Sequence, residues 1–125
     1  MIKTISKITL YVKDQEEAER FWVEKLDFKV KMKQPMGENH YWLEVCPKDA
    51  ETSFVLYNKD MMKKQNPNTS LEHPSILLSS PDVMFTFQML SDRGVKVDPV
   101  IDMPYGKMFT FYDQDGNAYL LREDK

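Results

Sequence analysis

Cysteine occurs once, histidine twice and glycine four times in these 125 residues, and each scarcity removes a class of explanation. A single cysteine, Cys46, cannot close an intramolecular disulfide, and it fits a reducing compartment. Two histidines, His40 and His73, leave few nitrogens for a metal site built on imidazole. No apolar run reaches the roughly 18 residues that a membrane-spanning helix needs. Residues 1–5 open no apolar stretch of signal-peptide length either. The expectation is a cytoplasmic protein that contacts no membrane. With a net charge of −3, the chain has no cluster of Lys and Arg interleaved with aromatics, so nucleic acid is not an expected partner. The nearest approach, Lys63-Lys64, reads as a solvated loop.

What is present supports a real core. Hydrophobic residues make up 42% and charged residues 30%, at a length that suits a single domain spanning residues 1–125. The chain carries nine Met, seven Phe, six Tyr and two Trp. Methionine fills irregular core gaps and lines adaptable cavities equally well, so composition alone does not choose between the two.

One pattern occurs twice. Residues 8–13 read as a short strand running into Asp14, whose carboxylate is suited to accept from the free N–H groups of a helix start. Ala18, Phe21, Trp22 and Leu26 then recur at helical spacing, predicting a helix near residues 15–26. Asp27 is a plausible left-handed stop. Residues 28–33 alternate, with Phe28, Val30 and Met32 on one face of a strand. In the second half, residues 75–80 form a strand and Asp82 caps a helix near residues 83–93 marked by Val83, Phe87 and Leu90. Gly94 ends that helix and Val95-Lys96-Val97 begins the next strand. Asp14 and Asp82 lie 68 positions apart. Each half closes on a hairpin. The first pairs 41–46 with 52–57, and the second pairs 107–112 with 118–122 around Asp113-Gln114-Asp115-Gly116-Asn117. The result is an α+β chain of two βαβββ modules, about 1–65 and about 71–125, joined by the polar stretch 66–70.

Leu10-Tyr11-Val12-Lys13-Asp14, Phe21-Trp22 and Lys25-Leu26-Asp27-Phe28 resemble the opening of vicinal oxygen chelate domains. These form the superfamily of glyoxalases, bleomycin-resistance proteins and extradiol dioxygenases. Pro104-Tyr105-Gly106 and Phe111-Tyr112-Asp113-Gln114-Asp115-Gly116-Asn117 resemble its closing pattern. The chain departs from it at Asp27, where Gly is usual, and at Gln114, where Pro is usual. The resemblance implies two modules whose curled mixed sheets enclose a cavity. In the family's enzymes that cavity holds a divalent metal that activates a substrate with two adjacent oxygens.

Carried onto this chain, the implied ligand positions fall on Lys7 and Val55 in the first module and on Ser75 and Leu120 in the second. An ammonium, a hydroxyl and two hydrocarbons do not make a metal site, so no metal and no cofactor are expected. A displaced site would have to draw on His40, Glu44, His73 and Glu72, with Glu123 as a further carboxylate. For each of these an ordinary solvated or structural role is the simpler reading. Cys46 reads as a buried or edge thiol, since a nucleophile needs a nearby base.

If those four positions face a cavity, neighbours two residues away on the same strands face it too. Thr9, Tyr11, Ser53, Tyr57, Leu77, Ser79, Ala118 and Arg122 join the set, with Trp42 and Tyr105 placed to stack on a planar ligand. The expected ligand contacts are therefore Lys7, Thr9, Tyr11, Trp42, Val55, Tyr57, Ser75, Leu77, Tyr105, Leu120 and Arg122. Apolar walls with a few placed polar groups suit a small molecule. Three readings follow from the resemblance. The leading one is a metal-free protein that binds or sequesters a small, partly apolar molecule, as a homodimer. The second is a lyase, dioxygenase or thiol transferase with displaced metal ligands. The third is a metal-free enzyme using Lys7, Tyr11 or Tyr57 as acid or base.

Overall fold

The computed structural model describes residues 1–123. The last two positions of the expected second module, Asp124 and Lys125, lie outside the described residues. The chain forms two compact units, one from Met1 to His73 and one from Pro74 onward.

In the first unit, strand β1 (Lys7–Val12) runs into helix α1 (Gln15–Arg20). Asp14 sits in extended geometry and its Oδ1 accepts from the Glu17 N–H at 3.1 Å, as the sequence predicts. The helix continues as a π-helical turn, Phe21–Lys25, closed by bonds from Leu26 N to Phe21 O at 3.3 Å and from Phe28 N to Trp22 O at 2.9 Å. The wider turn carries Trp22 fully into the core, where Phe21, Phe28 and Phe54 ring it at 4.9–5.3 Å. Asp27 then reverses the chain at φ 58°.

Three strands follow, β2 (Lys29–Pro35), β3 (Tyr41–Cys46) and β4 (Ser53–Asn58). The sheet order is β1-β4-β3-β2, with β1 parallel to β4 and the other pairs antiparallel. Leu10, Val12, Leu43, Val45, Phe54 and Leu56 are buried on the α1 side. Buried Gln15 ties the helix to the sheet. Its Nε2 donates to the carbonyls of Tyr41 and Leu56, both at 2.7 Å, and its Oε1 accepts from Tyr41 N at 3.0 Å.

Two expectations change here. The apolar face expected of residues 28–33 is interrupted by a register shift between Val30 and Met32, and both side chains are exposed on an edge strand. Lys63-Lys64 is not a loop but the last turn of a helix, α2 (Lys59–Gln65), capped by Asn58 Oδ1 accepting from Met61 N at 2.8 Å.

The second unit repeats the order with β5 (Leu77–Ser80), α3 (Val83–Asp92), β6 (Ile101–Met103), β7 (Gly106–Tyr112) and β8 (Ala118–Glu123), in sheet order β5-β8-β7-β6. Asp82 caps α3 by accepting from Phe85 N at 3.0 Å. The helix ends in paired bonds, Val95 N to Leu90 O at 3.0 Å and Gly94 N to Ser91 O at 3.1 Å, with Gly94 at φ 81°. The two mixed four-stranded sheets, each with its helix, are the expected α+β fold of βαβββ units.

The strand expected to begin at Val95 is reduced to a single bridge between Val97 and Phe111, and the pairing strand is β6. Pro99 gives the physical reason, since it lacks the N–H that a continuous ladder needs. The Asp113 turn is explained in full. Asp113 Oδ1 accepts from Asp115 N at 2.9 Å and Asn117 N at 3.0 Å, while Oδ2 accepts from the buried Tyr119 hydroxyl at 2.7 Å.

Candidate functional site

Strand alternation sorts the first sheet into two faces. Leu10 and Val12 point toward α1, so Lys7, Thr9 and Tyr11 occupy the opposite face of β1. The parallel register sets Lys7 beside Ser53, Thr9 beside Val55 and Tyr11 beside Tyr57. Strand β3 adds Trp42 and Glu44, with Glu44 opposite Val55. All six expected ligand contacts of this unit, namely Lys7, Thr9, Tyr11, Trp42, Val55 and Tyr57, therefore share one face.

Three aromatic rings meet there. Tyr57 stands edge-on to Tyr11 at 6.3 Å and to Trp42 at 6.2 Å between ring centroids. The Tyr57 hydroxyl donates to Gln65 Oε1 at the end of α2, which brings that helix to the rim of the face. Beside the rings lies a carboxylate that sequence reasoning considered only as a metal donor. Glu44 is 2% exposed. Its Oε2 accepts from Trp42 Nε1 at 2.7 Å, and its Oε1 accepts from Ser53 Oγ at 3.1 Å and lies 3.6 Å from Lys7 Nζ. Burial works to raise the Glu44 pKa. Hydrogen bonds from Trp42 and Ser53, with the charges of Lys7 and Lys31, outweigh it and hold the carboxyl below its ordinary range. Alternation from Trp42 already placed Glu44 on this face. Nothing in the sequence marked it as buried.

In the second unit, Ser75, Leu77 and Leu120 line a hollow of about 350 Å3 together with Ile76, Thr110, Ala118 and Tyr119. Ser75 precedes β5 rather than lying on it, although the Leu120 N–H still bonds to Ile76 O at 3.1 Å. Leu77 pairs with Leu120 as Thr9 pairs with Val55, so the two βαβββ units match in register. Arg122 lies two residues along β8 from Leu120, with its guanidinium 5.1 Å from the ring centroid of Tyr105. Tyr105 itself is exposed in the β6–β7 turn.

Among the described residues, no three His, Cys, Asp or Glu side chains group in a way that holds a metal ion. Of the displaced donors, Glu44 is engaged as above, and His40 Nδ1 is buried with no hydrogen-bond partner among the described residues. Glu72 is held through its N–H by Ser70 Oγ at 3.4 Å. Cys46 is a buried free thiol at the end of β3. No helix among the described residues is long and apolar enough to cross a membrane.

Comparison with known proteins agrees with this architecture. Residues 4–120 match the family model described as Glyoxalase/Bleomycin resistance protein/Dioxygenase superfamily. The uncharacterized protein YetH of Bacillus subtilis (strain 168) is 39% identical over 124 residues, which is 98% of this chain and 100% of YetH. The crystal structure of TnmS3, an antibiotic binding protein from Streptomyces sp. CB03234, superposes with a TM-score of 0.82. It is 32% identical, covering 99% of this chain and 98% of TnmS3. A superfamily member from Sphaerobacter thermophilus DSM 20745 reaches a TM-score of 0.82 at 27% identity, over 98% of each chain.

Proposed function

The chain belongs to the glyoxalase/bleomycin resistance protein/dioxygenase superfamily, and from that premise we propose that it binds and sequesters a small, partly apolar molecule without a metal ion and without transforming it. The observation that carries this reading is the face of the first sheet opposite α1. Tyr11, Trp42 and Tyr57 form a cluster of rings beside an ammonium and two hydroxyls, which is how a pocket for an aromatic compound is furnished. TnmS3, which is similar along nearly its whole length, is an antibiotic-binding protein. The apolar hollow lined by Ser75, Leu77 and Leu120 offers the second unit a ligand surface of its own, with Tyr105 and Arg122 farther along that unit.

The donor chemistry supports the metal-free part. At the positions assigned to metal ligands by family resemblance stand Lys7, Val55, Ser75 and Leu120. A divalent cation needs at least three N, O or S donors at about 2.0–2.6 Å, and this set offers one neutral hydroxyl and an ammonium that repels the ion. These residues do not fit a metal, and no reaction step is derived through one. A metal-free enzyme would need a side chain available for proton transfer. Of the three suggested by the sequence, Lys7 lies beside Glu44 and the Tyr57 hydroxyl already donates to Gln65.

In this reading the protein acts in the cytoplasm as a homodimer. Exposed Phe85 and Ile101 are apolar surface that such pairing would cover. The test is a thermal-shift screen of small aromatic compounds with elemental analysis of the same protein. The expected result is stabilisation by particular compounds that are recovered unchanged, with no stoichiometric Zn, Mn, Ni or Fe. One metal per chain, or conversion of a stabilising compound, would overturn the reading.

A further inference from the structure

A carboxylate is an expensive group to bury, and Glu44 is 2% exposed in a sheet whose neighbouring positions hold Val55 and the Tyr57 ring. Its partners repay that burial. The shortest contact, 2.7 Å, comes from the indole N–H of Trp42, two residues back on the same strand and the same face. Ser53 Oγ at 3.1 Å and Lys7 Nζ at 3.6 Å hold the other oxygen from β4 and β1. Glu44 is thus fixed from the adjacent strand β4 and, across it, from β1, and it fixes Trp42 in turn. The far side of the indole is limited by Tyr57, edge-on at 6.2 Å, which is itself tied to Gln65.

We propose that Glu44 is a positioning residue, one that locks the Trp42 indole in a single orientation as a ready-made surface for a flat ligand ring. This deepens the binding function proposed above and rests on it for its purpose, but the locking exists in the free protein. A half-buried tryptophan has two torsions to settle, and losing that freedom on binding would weaken affinity. A charge-assisted bond to the ring nitrogen removes the freedom in advance. A neutral glutamine at position 44 keeps the shape and one acceptor oxygen, but it loses the charge that shortens the bond and draws in Lys7.

The two tryptophans give two indole N–H signals in 15N–1H spectra, and W42F identifies that of Trp42 without disturbing Trp22. In the wild type the Trp42 signal is expected downfield, slow to exchange with solvent, and moving with pH as a carboxyl titrates below the ordinary range. The groups facing that carboxyl are Lys7 from β1, Ser53 from β4, Trp42 on its own strand and Lys31 from β2. E44Q should move the signal upfield, speed its exchange about tenfold and abolish the titration, while the remaining amide spectrum stays dispersed. A Trp42 signal that E44Q leaves unmoved and equally protected would overturn the positioning role.

A second arm separates this claim from the binding claim. With 2-naphthol as the planar probe, E44Q is expected to weaken affinity about tenfold when Trp42 is present and less than about twofold in W42F. Equal losses in both backgrounds would overturn the positioning role while leaving binding intact. A wild-type protein that ignores 2-naphthol but shows the expected indole behaviour would count against the binding function while leaving the positioning role standing.

Discussion

Replacing Gln15 with alanine tests how the candidate face is held in place. Gln15 is buried, and its amide makes three hydrogen bonds, two at 2.7 Å to the carbonyls of Tyr41 and Leu56 and one at 3.0 Å from Tyr41 N. Tyr41 is the first residue of β3 and Leu56 lies in β4, so this one side chain joins α1 to the two strands that carry Trp42, Val55 and Tyr57. Truncation leaves one donor and two acceptors without partners, at about 1 kcal/mol for each lost bond, or about 3 kcal/mol in all. Unfolding entropy per residue makes 1 kcal/mol worth about 4 °C for a chain of this length, so the melting temperature should fall by about 12 °C. Urea denaturation followed by far-UV circular dichroism reads the free energy directly, and the midpoint should shift at nearly constant slope. Q15E retains the size but presents oxygen to both carbonyls, and it should be at least as damaging. A loss below about 1 kcal/mol for Q15A would refute the reasoning, because water would then serve those backbone groups as well as the amide does.

Asp113→Ala removes the acceptor for Asp115 N, Asn117 N and the Tyr119 hydroxyl together, and should cost about 3 kcal/mol in the same urea experiment. Stability should also depend on Glu44 in acid. Although burial pushes its pKa up, the Trp42 and Ser53 bonds and the Lys7 and Lys31 charges hold it below the unfolded value. The stabilisation is therefore present above the unfolded glutamate pKa of about 4.3 and is lost as pH falls through the lower folded value. The wild-type loss between those two values should be absent from E44Q in pH-dependent melts. Light scattering at micromolar concentration should give twice the chain mass, and a monomer would count against the homodimer.

Much of this architecture was legible because local signals agreed with one another. Asp14 and Asp82 cap their helices by the same contact, to the N–H three residues on, and the matched pairs Thr9–Val55 and Leu77–Leu120 reproduce the internal repeat in strand register. Where the reading fell short, the deciding feature was one that apolar periodicity does not report. Helix α2 has no apolar periodicity and no buried residue, so its sequence looked like a solvated loop until Asn58 supplied a cap. The expected strand at Val95 was cut short by Pro99, and the apolar stripe of Val30 and Met32 was broken by a bulge invisible to a period-two pattern. The π-helical turn at Phe21–Lys25 has the same apolar spacing as an α-helix to within one residue, and only the wider residue span of its hydrogen bonds distinguishes it. Alternation put Lys7, Thr9, Tyr11, Trp42, Val55 and Tyr57 on one face, and the strand register agrees. It did not show that Glu44 would be buried among them, because that depends on Ser53 and Lys7 from strands distant in sequence.

The central claim is that the ring-lined face of the first unit holds a small molecule without help from a metal. Equilibrium titration of a compound selected by thermal shift, carried out in EDTA and repeated with Zn2+ or Mn2+ for wild type and W42A, tests it most directly. The account predicts the same dissociation constant in EDTA as in metal, and a loss of about tenfold or more in W42A, since stripping an aromatic anchor removes about 1.4 kcal/mol or more. Binding that vanishes in EDTA, or that W42A leaves untouched, would contradict it.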